Sequence, residues 1–253
     1  MYPSPLSLRA VPPRLRRGLP LALFVAALSA PRAGHAAPPG AELMARLTVH
    51  AARFEAMRTH ASYALVGKIE RLDGDGQPSG VKEMTARVEA DGTRARLDVV
   101  RYTEDGEDKT RDARDKAREA DAEPADEKEK SVIRMPFLAT EQGRYVFEQV
   151  AVDGADPARI RIAFVPRVAA ENAIEGSAWV DTRTATVLSA GFKISKPGTF
   201  VDYVHVTVEF GAPTSLGPAV SRVTVEGKGG ILFLRKRFRG AATLSDYRIS
   251  PAT

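Results

Sequence analysis

The sequence predicts a mainly β protein: an antiparallel sheet curled toward a barrel, with one N-terminal helix packed on it. Three observations carry this expectation. One segment near the start has helical apolar spacing, a long succession of strand-like segments follows it, and turn residues occupy most of the joints between them.

What precedes the helix has the layout of a secretory signal peptide. Arg14-Leu15-Arg16-Arg17 leads into the apolar run Leu19 to Leu28, and Gly34-His35-Ala36-Ala37 supplies small residues for a cut after Ala36. The apolar run is about ten residues, half of the roughly twenty needed to span a bilayer core. Residues 1–36 are therefore read as a cleaved leader and 37–253 as a single exported domain, periplasmic or secreted further, by an export route left open. Removing the leader changes the charge argument. The chain has 37 Lys plus Arg against 32 Asp plus Glu, and five of the arginines (Arg9, Arg14, Arg16, Arg17, Arg32) fall in the leader with no acid beside them. The remainder is formally neutral, so the basic pI of 9.5 is no footprint of a nucleic-acid binder. The absence of cysteine excludes disulfides and a lipid-attachment cysteine.

Ala41 to Thr59 is the predicted helix, because Leu43, Leu47, Ala51 and Phe54 recur at helical spacing with Met44 and Met57 widening the stripe. Strands are then expected over His60 to Leu72, Val81 to Glu89 and Thr93 to Tyr102, reversing at Asp73-Gly74-Asp75-Gly76 and at Asp91-Gly92. Thr103 to Lys130 interrupts this meander with twelve acids and seven bases and almost no apolar side chain larger than Ala. Such a segment buries too little to offset its ordering entropy within a core. It reads as a charged, mobile insertion, either loop or transient helix, with a docking arm for a basic partner as the functional alternative.

The sheet resumes over Ser131 to Met135, Arg144 to Val152, Arg159 to Val165, Ser177 to Asp181, Thr186 to Ile194, Val201 to Phe210, Val220 to Gly227, Ile231 to Phe238 and Ala242 to Ile249. Gly229-Gly230 is expected at a joint. Val204, Val206, Val208 and Phe210 share one face of their strand, while Tyr203, His205, Thr207 and Glu209 share the other. Ile231 to Leu234 is apolar on both faces: it is either buried on both sides or lines an apolar cavity.

Catalytic patterns are scarce. The chain lacks a nucleophile elbow, a phosphate-binding glycine loop, a dinucleotide fingerprint and a zinc-protease helix motif. His50, His60 and His205 are too scattered in the sequence to specify a metal site, so no metal and no cofactor is expected. Asp73 to Gly76 is a turn and not a calcium loop, since the closing glutamate is missing. Arg235-Lys236-Arg237-Phe238-Arg239 is the densest basic cluster of the exported part. It either discourages edge pairing or touches anionic lipid headgroups or an acidic partner surface, with transient membrane contact. Trp179 is expected to pack in the core or at its rim.

Gly176-Ser177-Ala178-Trp179-Val180-Asp181-Thr182-Arg183-Thr184 and the two strands after it resemble the glycine, "W-[IV]-D" and turn passage of outer-membrane lipoprotein-sorting proteins of the LolA/LolB type. The resemblance implies a half-open barrel with helical cover whose apolar interior receives acyl chains, and a structural hairpin with Asp181 starting the turn. The segment 103–130 departs from the family pattern, and no ligand residue of the family maps onto this chain. The expected function is a non-enzymatic carrier or sensor for an acyl chain, lipid or lipidated protein. Phe192, Ile194, Leu232 and Leu234 are the candidate lining residues, and Arg235, Lys236, Arg237 and Arg239 the candidate headgroup or partner contacts. The alternative is an envelope protein-interaction or structural module, with an enzyme third.

Overall fold

A computed structural model describes residues 37–90, 95–122, 134–198, 201–231 and 234–250, with side chains left aside at residues 230, 231, 234 and 235. The expected leader, the Asp91-Gly92 turn and Leu232 lie outside the described residues.

Helix α1 (Ala41–His60) opens the fold, within one residue of the predicted element. Strands β1 (Ala61–Leu72), β2 (Pro78–Ala90), β3 (Ala95–Glu104) and β4 (Glu107–Asp108) follow, then α2 (Thr110–Ala122) and the short α3 (Ala139–Gln142). The remaining strands are β5 (Tyr145–Val152), β6 (Arg159–Pro166), β7 (Ile174–Asp181), β8 (Thr186–Ile194), β9 (Val201–Ala212), β10 (Ala219–Ile231) and β11 (Leu234–Ile249). All eleven form one antiparallel sheet in the order β4-β3-β2-β1-β11-β10-β9-β8-β7-β6-β5. The end strands β4 and β5 do not meet, so the sheet is not closed.

Three expectations are corrected. Ser131 to Met135 is not a strand where it is described: Arg134 and Met135 lie in a loop that leads Phe137 into the core. Ile231 to Phe238 is not one strand either. Ile231 ends β10 and pairs with Leu234 at the start of β11, so the two apolar ends belong to neighbouring strands. Gly229-Gly230 is not a joint but part of β10, and Leu234 to Ile249 runs without a break.

The segment after Thr103 takes up regular structure as far as Ala122. Asp105 and Gly106, both at positive φ (51° and 85°), turn β3 into β4. Helix α2 buries no residue and is held by polar contacts along the β3 edge. Thr110 Oγ1 accepts from Tyr102 N–H (2.9 Å) and donates to Tyr102 C=O (3.3 Å), while Arg114 Nε donates to Val99 C=O (2.7 Å). Those groups would otherwise form an open edge. At the far end β5 is met by one bridge, in which Gln149 N–H donates to Ala37 C=O (2.9 Å).

The main core lies between α1 and the strands β5 to β8. Leu47, Ala51, Ile162 and Val180 are fully buried, with Phe137 and Phe164 filling the space between them. Polar clamps seat the helix. Gln142 Nε2 donates to Thr48 Oγ1 (2.6 Å) and to Phe137 C=O (3.0 Å), and the Arg46 guanidinium donates to the carbonyls of Thr182 and Arg183 at the β7–β8 turn. A second cluster of Met57, Ala61 and Ala219 anchors the helix end.

Candidate functional site

Strand alternation sends one apolar set from each strand toward α1, but α1 with its core spans only part of that face. Between the C-terminal half of α1, the 134–137 segment and strands β6 to β11 lies an apolar groove of about 300 Å³. Phe54 comes from α1, Met135 and Phe137 from the segment before α3, and Phe164, Ile174 and Val187 from β6 to β8. Phe192, Val208, Phe210, Val223 and Leu244 complete the wall. The volume falls at the low end of the range of about 300–1,000 Å³ usual for small-molecule pockets. Two arginines border it, Arg58 on α1 and Arg134. Arg58 is exposed and bonded to Glu55, so this side of the groove faces water.

The wall is built from close contacts. Phe210 stands edge-on to Phe54, with ring centroids 5.5 Å apart, and to His50 at 6.3 Å. Phe137 stacks on Phe147 at 5.5 Å. Beyond the groove the same face continues through Val206, opposite Phe192, and through Val225 and Ile69, which flank Gly240; Ile69 remains 46% exposed. The inward face is thus apolar over more strands than the helix covers.

The opposite face is polar. A depression of about 530 Å³ there is bordered by Lys68, Glu70, His205, Thr207, Glu226 and Arg239. Glu70 pairs with both Lys68 (2.9 Å) and Arg239 (2.6 Å), which hold its carboxyl below the usual carboxylate range. Its borders are ion-paired and polar, unlike the groove under α1.

The expected lining residues divide. Phe192 borders the groove, and Ile194, two residues on, is half-buried opposite Ile174 and does not border it. Leu234 is the first residue of β11 and pairs through its backbone with Ile231. The basic cluster divides as well, because a strand turns alternate residues to opposite faces. Arg239 faces outward against Glu70, Phe238 faces inward over Gly227, and Lys236 and Arg237 are both exposed. Arg235 pairs through its backbone with Gly230. Trp179 packs on the outer face beneath Arg161, whose guanidinium carbon lies 5.7 Å from the ring centre. Asp181 does begin the β7–β8 turn: its Oδ1 accepts from Arg183 N–H (2.8 Å), and Arg183 beside it holds the carboxyl down at about 2.

The wall residues Phe54, Phe137, Phe164 and Phe210 escaped the sequence reading as site residues. The alternation of β9 signals which way Phe210 points, but nothing local signals that the helix stops short of covering it. Among the described residues no three His, Cys, Asp or Glu side chains gather as a metal site.

An open antiparallel sheet with a helix across part of one face is the class of fold that these elements define. In overall architecture the chain is similar to a LolA superfamily protein from Nitrosomonas europaea, with 11% identity, a TM-score of 0.38, and 81% of this chain and 94% of that one covered. It is likewise similar to a putative outer membrane lipoprotein-sorting protein domain from Vibrio parahaemolyticus, with 11% identity, a TM-score of 0.41, and 83% and 93% covered. A third similar structure is the MucA/MucB complex of Pseudomonas aeruginosa, with 13% identity, a TM-score of 0.26, and 84% and 100% covered. No protein-family model matches the sequence. No curated protein matches it either.

Proposed function

We propose that the protein is a non-catalytic carrier or sensor of the bacterial periplasm that takes an acyl chain, free or on a lipid or lipidated protein, into the groove under α1. The observation that carries this reading is the groove itself: aromatic and branched side chains from α1, the 134–137 segment and the six strands β6 to β11 converge on it. Each methylene buried there contributes about 0.8 kcal/mol, so a chain of moderate length binds without a charged contact. Arg58 and Arg134 stand where the polar end of such a ligand would meet water.

The test is native mass spectrometry with lipid extraction on protein purified without detergent from its own envelope, followed by titration with a fluorescent fatty acid. A stoichiometric lipid or acylated peptide, or saturable uptake abolished in Val223→Phe, is the expected result. A bare mass together with no uptake by the wild type would refute the carrier and favour a module that binds protein partners.

A further inference from the structure

We propose that His50 makes the seating of α1 acid-sensitive, so that mild acid loosens the helix over the groove and releases what the groove holds. The proposal rests on the reading of the groove as an acyl site.

His50 lies on the inward face of α1, 6% exposed, one turn from the fully buried Leu47 and next to the fully buried Ala51. Its ring meets the edge of Phe210, which with Phe54 forms the groove wall nearest the helix. The Nε2 atom is sealed from solvent and has no hydrogen-bond partner among the described residues. A neutral imidazole is tolerated there at a modest cost, whereas a cation in the same place would need a partner.

None is provided. Among the described residues the ionisable group that acts on His50 is Arg53 of the same helix, and its charge opposes protonation. From β9 it meets the Phe210 ring, while Glu209 of β9 and Arg222 of β10 are backbone register partners whose side chains lie on the opposite face of the sheet. Among the described residues no carboxylate of the sheet or of α3 acts on the ring, and Glu141 of α3 is paired with Arg144. Burial first and Arg53 second hold the imidazole below its ordinary value of 6.5. When α1 lifts, the imidazole regains that value and takes a proton more readily than when seated. The seated form is therefore favoured above about pH 6.5 and progressively lost below it, about tenfold in the seating equilibrium for each unit between the two values.

Backbone hydrogen exchange of the purified protein, corrected for intrinsic rates, at about pH 7.5 and about pH 5 reads the seating directly. In the wild type, α1 amides are expected to lose protection in acid relative to β6. His50→Gln and His50→Phe are expected to keep the same α1 protection at both values, and whichever of the two folds decides the matter. An equal acid loss in the variant, or no loss in the wild type, overturns the proposal. Release of a preloaded fluorescent fatty acid is followed in parallel. Acid loosening of α1 without uptake at either pH would overturn the acyl-site reading and leave the latch standing. Uptake with pH-independent protection would overturn the latch alone.

Discussion

Gly176 and Phe192 face each other across β7 and β8 so closely that a methyl group on Gly176 would lie 2.7 Å from Phe192 Cα and closer still to the Gly191 carbonyl oxygen. The missing side chain lets the two strands approach just where β8 presents Phe192 to the groove. Gly176→Ala must push backbone aside and is expected to cost about 1–3 kcal/mol, read as a lower urea midpoint at unchanged slope. An unchanged midpoint would show that the strands have room to separate.

Leu47 is the residue by which α1 is most firmly buried. Leu47→Ala is expected to cost about 2–5 kcal/mol. Thermal unfolding measures the total, and fatty-acid uptake should fall with it, because α1 forms one side of the groove. Full stability in this variant would mean that the helix is held by its polar clamps instead.

At Tyr102 the β3 edge is covered by a hydroxyl that both accepts from and donates to the backbone. Thr110→Ala is expected to lose about 0.5–1.5 kcal/mol, concentrated as faster amide exchange at Tyr102 and along the first turn of α2. Exchange that rises evenly over the whole sheet would place the role of Thr110 elsewhere. The same contacts make removal of residues 103–130 a poor test of a docking arm, since it would uncover a sheet edge.

Asp181 shows an acid-side effect of known sign. Its carboxyl is held at about 2 by Arg183, below the ordinary 3.8. The contribution is complete above the ordinary value and disappears as the pH falls through about 2. Asp181→Asn keeps an acceptor for the turn and abolishes the titration. The gap in Tm between wild type and variant is expected to close between about pH 5 and about pH 2; a constant gap would assign the effect to the turn geometry alone.

Much of this fold was legible where periodicity is long and local. The stripe Leu43, Leu47, Ala51, Phe54 placed α1 within one residue, and the alternation of Val204 to Phe210 assigned the inward face of β9. What escaped depended on contacts distant in sequence. Asp105-Gly106 is a hairpin signal, but it sits among so many charges that the lack of apolar residues outweighed it. Helix α2 succeeds with no buried side chain because it satisfies the β3 backbone, a partner that composition does not reveal. The groove was legible only at Phe192; Phe54, Phe137 and Phe210 meet there through tertiary folding, and a twofold period at Arg235 to Arg239 meant that a linear cluster could not be one patch.

The first strand of the sheet lies beside the last: β1 pairs with β11 from Ala61 opposite Ile249 to Leu72 opposite Arg237. Strands β1 to β4 and β5 to β10 are thus two meanders that touch as a sheet only through the final sixteen-residue strand. Contacts of such sequence separation are slow to form, so the closing step of folding awaits β11. A chain ending before Leu234 would not merely be shorter. It would hold two half-sheets with β1 and β10 as raw edges, each a template for another chain, so a late truncation is more hazardous to the cell than loss of either outer strand.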